Sequence, residues 1–422
     1  MTWKILVNRK DGLKEKEMIS RRNSCRGCFS KKIFCFLDFG RVPLAGGFLS
    51  PEEIKKEKKF PLKIYYCKNC GLVQILDVVN PKILFNKYFY QSSVIRSLAG
   101  HFKEYSIFLK NRYLSKKNSK LLEFGCNDGV LLQYLRDIDA YGVEPSKNIS
   151  QLAKGRGFKI FQTYFNRKTA QKIKAQIGEV DVVSGSNVFA HIDDIHEVMK
   201  AAKILMKPEG VFIIEVHYLK DLIDKFQYDT IYHEHLCYYS VKALKKIMSL
   251  EDLKIIDIRH LAMHGGAIRV VIAKKDSGLK ESQSVNRFVR NEAEINLKKL
   301  KSLKTAYQKH RKGLVLLLRD LKNKKKQIAG YGAAGRGAML LNFCGIGPKT
   351  VDYIVDVSPL RQGKLMPGTH IPIYGVEIAR KNPPDYFLIL AWNYASSIIK
   401  QEKKISQAGT KFIIPLPKIS IR

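Results

Sequence analysis

Residues 121 to 135 read LLEFGCNDGVLLQYL. An apolar run closes on Gly125, and Gly129 precedes a second apolar stretch, a pattern that predicts a strand passing through a glycine turn into a helix. The two glycines stand where the backbone must turn sharply and approach a ligand closely. The spacing departs from G-x-G-x-x-G, because Asn127 stands where a second glycine would be and takes some of the room that a dinucleotide pyrophosphate needs. Glu144 ends the next apolar run, at about the twenty-residue distance from which an acid accepts hydrogen bonds from a ribose diol.

Outward from this turn, KLLEFG (120–125), AYGVEP (140–145), FKIF (158–161), VDVVSGS (180–186) and GVFIIEV (210–216) are short, rich in β-branched residues and separated by helical patterns. Such alternation predicts an α/β fold, an open parallel sheet with helices on both faces. LKIIDI (253–258) and IRVVIA (268–273) lie close together and are expected to add an antiparallel pair at the edge. In open α/β sheets ligands bind beyond the carboxyl ends of the strands. That rule places SGSNVFAHIDD (184–194) at the site, with Asn187 and His191 as candidates; His191 also reads as a polar residue at a helix start.

Residues 281–326 carry fourteen Lys or Arg against four acids, with Leu297, Leu300, Leu303 and Tyr307, then Leu314, Leu317, Leu318 and Leu321, at helical spacing. They predict long amphipathic helices joining two lobes. QIAGYGAAGRGAMLLNFCGI (327–346) then restarts a strand, glycine turn and helix, so a second, smaller Rossmann-like lobe is expected over 327–422. Its helix start and Arg336 are read as holding a diphosphate, with a second cofactor or ligand-free packing of helix on strand as alternatives. Upstream, four of the eight cysteines form two C-x2-C pairs, Cys25 with Cys28 and Cys67 with Cys70. Two matched pairs predict a tetrahedral thiolate site for structural Zn2+, in preference to a thioredoxin-like redox pair, and four protein thiolates leave no open position for Lewis-acid chemistry. The expected division is therefore 1–80, 81–280, 281–326 and 327–422.

The net charge of +37, from 75 Lys plus Arg against 38 Asp plus Glu, favours anionic partners. The basic runs lack interleaved aromatics, which makes nucleic acid an unlikely partner. No apolar run is long enough to span a membrane, and charges interrupt the N-terminal stretch throughout, so a cytoplasmic protein is expected.

The densest group of titratable side chains is DTIYHEHLCYYS (229–240). His233 and His235 are two apart, whereas the metalloprotease H-E-x-x-H pattern needs four. Adjacent residues also converge poorly on one ion. An imidazole, which titrates near neutrality, suits an acid/base centre. A hydrogen-bonded surface turn is the competing reading.

E-x-G-x-x-x-G (Glu123, Gly125, Gly129) followed by Glu144 resembles the first two motifs of class I S-adenosylmethionine (SAM)-dependent methyltransferases. The ordered set of two C-x2-C knuckles, YFYQSS (88–93), EFGCNDG, NVFAH, DTIYHEHLCYYS, HGGAIRV (264–270), GYGAAGRG and PGTHIPI (367–373) resembles the sugar C-methyltransferase family across nearly the whole chain. That family methylates the carbon beside the ketone of a nucleotide-linked deoxysugar. The resemblance implies a zinc-binding N-terminal domain, a central SAM domain built on Glu123, Gly125, Asn127, Gly129, Glu144 and Asn187, and a C-terminal Rossmann-like domain. It further implies His235 as general base, Glu234, Tyr232 and His191 as companions, and Tyr90, in preference to Tyr88, as a contact to the sugar. A SAM-dependent O- or N-methyltransferase and a zinc-knuckle nucleic-acid-binding protein are the alternatives.

Overall fold

The computed structural model describes residues 18–85, 92–93 and 96–422. The glycine turn sits at the centre of a seven-stranded sheet, whose order is Leu253–Leu261, Ala267–Lys274, Met206–His217, Val180–Ser186, Lys120–Phe124, Asp139–Val143 and Lys159–Phe161. The five strands from Met206–His217 to Lys159–Phe161 are parallel, and Ala267–Lys274 is antiparallel to both its neighbours, as expected of the late pair. Val182, Val183, Phe212, Ile213 and Ile214 are buried on both faces, which is why these strands read as unbroken apolar runs. Chain order reverses at Lys120–Phe124, which lies between its successor Asp139–Val143 and the later Val180–Ser186, and a crevice opens at the carboxyl ends of such a pair.

The helix expected after Gly129 is replaced by turns and a three-residue 3-10 segment, Leu132–Tyr134. Val130, Leu131, Leu132 and Leu135 are all buried and the next strand begins at Asp139, so the segment lacks the length of a surface helix.

The C-terminal lobe repeats the pattern with a six-stranded sheet, in the order Ile373–Gly375, Ile354–Asp356, Ile328–Tyr331, Tyr386–Ile389, Lys411–Ile414 and Ser420–Ile421, of which only the last is antiparallel. The N-terminal module is a four-stranded antiparallel sheet of Ile33–Pro43, Lys59–Cys67, Val73–Ile75 and, at its edge, Cys237–Tyr238 from the HEH segment. The helix Leu297–Asn323 buries Leu300, Leu303, Tyr307, Leu314, Leu318 and Leu321 in a core that also holds Phe36 and Ile64 of the N-terminal module and Leu340 and Ile354 of the C-terminal lobe. The three units are thus joined through common apolar cores. No helix among the described residues is long and apolar enough to cross a membrane.

Candidate active site and zinc centre

The four cysteine sulfurs lie within 4.8 Å of one another, with Cys25 Sγ–Cys70 Sγ and Cys28 Sγ–Cys67 Sγ both at 3.6 Å. A tetrahedral four-sulfur zinc centre with bonds of about 2.3 Å spaces its sulfurs by about 3.8 Å, so the donor set fits zinc closely. Each knuckle closes by the same turn: Phe29 N donates to Cys25 O and Gly71 N to Cys67 O, and both residues after the second cysteine have positive φ, 59° and 81°. Hydrogen bonds from Cys67 and Cys70 hold the Cys25 thiol far below its ordinary range, and contacts with Cys25 and Cys67 push Cys70 up. Four thiols so crowded cannot all ionise without a cation among them. The Gln74 amide donates to Cys25 Sγ at 3.0 Å and that of Asn69 to Cys28 Sγ at 3.3 Å.

At the carboxyl edge of the central sheet, Gly125, Asn127 and Gly129 take φ of 63°, 51° and 82°. A Cβ on Gly125 would lie 2.6 Å from Val188 Cγ2 and one on Gly129 2.4 Å from Phe158, so packing within the chain itself demands these glycines. Glu144 accepts from Asn127 N at 3.1 Å and from Ser146 N at 2.9 Å, with its carboxyl raised by burial against the opposing pull of these amides. Around this loop Glu123 Oε2, Asp128 Oδ1, Ser186 Oγ and Asn187 Oδ1 are buried without a hydrogen-bond partner among the described residues. Burial first, then the charges of Glu215, Glu144 and Asp128, raise Glu123 well above the carboxylate range. Burial would raise Glu215 as well, but His101 at 2.9 Å and Arg269 at 2.8 Å hold it at about 2. Buried acceptors left open among acidic groups suit a ligand that brings donors and positive charge. The ammonium, sulfonium and ribose hydroxyls of SAM are such groups.

The HEH segment divides its side chains. His233 is buried and turned to the N-terminal module, with Nε2 3.2 Å from Pro61 O and the ring 5.9 Å from that of Phe60. His235 points the other way, and its Nδ1 lies 2.7 Å from Thr230 O. The tautomer that satisfies this contact carries the proton on Nδ1 and a lone pair on Nε2. Its ring lies 4.0 Å from Tyr232, 5.1 Å from His191 and 4.8 Å from His217, and His217 lies 5.8 Å from His264. Burial lowers all four imidazoles, His191 and His264 to about 4, and neighbouring imidazoles and Arg336 add to it at His235 and His217. Glu234, packed against the backbone of Gly46, is pushed up to about 7 by burial. Among the described residues the four cysteines are the sole group of three or more His, Cys, Asp or Glu placed to share an ion.

His217 and His264 escaped the reading of the sequence. His217 ends a buried strand, and only the fold brings it to the cluster. His264 stands in the quoted HGGAIRV, where φ is 53°, 89° and 135° through His264, Gly265 and Gly266. A Cβ on Gly266 would lie 2.3 Å from Asp221 Cγ. Tyr88 and Tyr90 lie outside the described residues, although the nearby Ser92 N donates to Asn127 Oδ1 at 3.0 Å.

The expected role of Arg336 is corrected. Its guanidinium is buried, donates to both carboxylate oxygens of Asp229 at 2.9 and 3.1 Å and to His264 O at 2.8 Å, and lies 4.6 Å over the Trp392 ring. Trp392 Nε1 also donates to Asp229, at 2.7 Å. With its fork engaged in clamping the C-terminal lobe to the HEH segment, Arg336 has little left for a diphosphate. Added Cβ atoms on Gly330, Gly332 and Gly337 would meet Ile354, Ala391 and Leu390 at 2.8, 2.7 and 2.9 Å, which supports close packing as the reason for these glycines.

Comparison with known proteins gives the family. Residues 25–85 match a putative zinc-binding domain, 98–258 a methyltransferase domain and 262–417 a C-methyltransferase C-terminal domain. The C-methyltransferase NovU of Streptomyces niveus is 33% identical over 94% of this chain and 96% of its own. The chain belongs to the C-methyltransferase family. It is a SAM-dependent methyltransferase, with a four-cysteine cluster suited to structural zinc. A SAM-dependent methyltransferase from Clostridium acetobutylicum (16% identity, 41% of this chain and 92% of that one, TM-score 0.33) and one from Anabaena variabilis (15%, 41% and 84%, TM-score 0.32) are similar to part of the chain.

Proposed function

We propose that the enzyme methylates the carbon beside the ketone of a nucleotide-linked keto-deoxysugar, using His235 as general base. The observation that carries this reading is the bond from His235 Nδ1 to Thr230 O, 2.7 Å, which leaves Nε2 as the proton acceptor inside a cluster of neutral imidazoles. Kinship with NovU supports the C-methyl acceptor. The order of elements supports a SAM domain within 81–280, flanked by a zinc domain over 1–80 and, after the helical connector 281–326, a substrate lobe over 327–422.

Bound in the crevice of Glu123, Gly125, Asn127, Gly129, Glu144 and Asn187, SAM supplies an electrophilic methyl group for the carbanion carbon. Before that carbon can react it must lose a proton, and a ketone beside it makes abstraction by imidazole feasible. His235 Nε2 takes the proton, and the positive charge that develops is shared with the Thr230 carbonyl through Nδ1–H. The phenols of Tyr232 and Tyr90 and the neighbouring His191 serve as donors to the enolate oxygen, which becomes a strong acceptor only as the proton leaves. Glu234, poised near neutrality, holds a sugar hydroxyl as donor or acceptor. His264 closes the side of the cluster nearest Arg336 and Tyr394.

The test is a panel of nucleotide-linked keto-deoxysugars offered with methyl-labelled SAM. Label on a ring carbon beside the ketone is expected, and label on oxygen or nitrogen would refute the reading.

A further inference from the structure

We propose that Arg26 is a positioning residue through which the zinc knuckle sets the placement of the two loops that carry His191 and His235; this rests on the proposed role of His235. Arg26 lies inside the first C-x2-C knuckle, and its side chain has no exposed surface. Nη1 donates to the backbone carbonyls of Ile75 at 2.8 Å and Leu236 at 2.9 Å, while Nη2 and Nε reach Asp193 Oδ1 at 3.0 and 3.3 Å. Leu236 follows His235, and Asp193 is two residues beyond His191. The two loops are joined to each other by Leu236 N to Ala190 O at 2.8 Å. One planar guanidinium therefore bonds both loops at once, from a residue flanked by a metal ligand. Gln74 completes the link, accepting from Arg26 N at 3.0 Å and donating to Cys25 Sγ at 3.0 Å.

The knuckle itself does not require this burial. The matching position of the second knuckle, Lys68, is exposed, and its ammonium lies 4.4 Å over the Phe34 ring at the surface. A buried guanidinium is costly unless its donors are met, and here they are met by Ile75 O of the N-terminal sheet and by the segments that hold the two histidines. The edge strand Cys237–Tyr238, paired with Val73–Ile75, extends the same connection into the N-terminal sheet.

The experiment compares Arg26→Lys and Asp193→Asn in the full chain, by zinc content, SAM affinity, steady-state kinetics and the NMR signals of the histidine rings. A lysine keeps the charge but cannot bond both loops with a planar fork. Both variants are expected to hold one zinc and to bind SAM within about two-fold of wild type. Their kcat is expected to fall by about ten- to a hundred-fold with little change in the acceptor KM, the size of effect that about 1 Å of misplacement produces. The His235 ring signals are expected to shift, while those of His370, bonded to Glu57 far from these loops, stay in place. If Arg26→Lys loses zinc, Asp193→Asn decides, since it leaves the knuckle intact. An unmoved His235 signal with unchanged kcat in zinc-loaded Asp193→Asn overturns the proposal. Failure of the base assignment shows separately, as activity retained by a His235→Ala variant, because the ring signals in the Arg26 and Asp193 variants report placement whatever His235 does.

Discussion

Replacement of His235, the proposed base, by alanine is expected to separate catalysis from cofactor binding. The variant removes the Nε2 base, and a positioned general base contributes about 10²- to 10⁴-fold in rate, or roughly 3 to 5 kcal/mol of barrier. The structural cost is smaller. Thr230 O loses its 2.7 Å donor but keeps the Tyr238 hydroxyl at 3.4 Å, so the carbonyl is weakened without being stranded. Loss of one net hydrogen bond and a small cavity beside Tyr232 sum to about 1–3 kcal/mol, which leaves the variant folded at assay temperature. SAM affinity should stay within about two-fold, because no hydrogen bond connects His235 to Glu123, Asn127 or Glu144. The decisive assay is deuterium exchange from solvent into the carbon beside the ketone, followed by mass spectrometry without methyl donor. Wild type should exchange and His235→Ala should lose exchange and methyl transfer in parallel. Exchange at the wild-type rate in the variant, or collapse of SAM binding with activity, would refute the assignment.

The pH profile gives a second check: because burial lowers His235, its base form persists as pH falls past the ordinary imidazole range, and the acid limb of kcat/KM should lie well below pH 6.5, where a free imidazole titrates. Glu234, at about 7, should add an inflection near neutrality that Glu234→Gln removes while the limb at lower pH remains; an unchanged profile would detach Glu234 from the reaction. Asp229→Asn leaves the buried Arg336 guanidinium without its counter-charge, and urea unfolding should show a loss of about 3–5 kcal/mol, whereas a loss below about 1 kcal/mol would mean that the Asp229–Arg336–Trp392 clamp is not what holds the C-terminal lobe. Metal analysis should find one zinc per chain, and Cys67→Ser should release it with a fall in melting temperature larger than any change in SAM affinity of the surviving folded protein; retained zinc would contradict the four-thiolate centre.

What the sequence carried plainly was local and strongly patterned. The five apolar runs, the glycine turn with Glu144 behind it and the paired cysteines each write their geometry into a few consecutive residues, and each was found in its expected relation to its neighbours. The helix expected after Gly129 failed because a short apolar stretch looks, over a few residues, like the inner face of a helix, while the next strand begins too soon at Asp139 to leave room for one. Arg336 was misread because a glycine-rich turn advertises anion binding, and nothing nearby in the sequence reveals that Asp229, 107 positions away, takes the guanidinium.

The site itself is a product of long-range assembly. His233 and His235 are close in sequence and opposite in orientation: one faces Pro61 of the N-terminal module, the other faces His191 and His217. That division follows from the edge strand Cys237–Tyr238. Once it pairs with Val73–Ile75, the segment before it is pressed against the N-terminal module, and His233 is turned to that side. The bond from Ile75 N to Leu236 O, 2.9 Å, fixes the register at the residue beside His235. On the proposed assignment, the N-terminal module thus determines which of two histidines is placed to act as a base, and it does so by completing a β-sheet with the HEH segment.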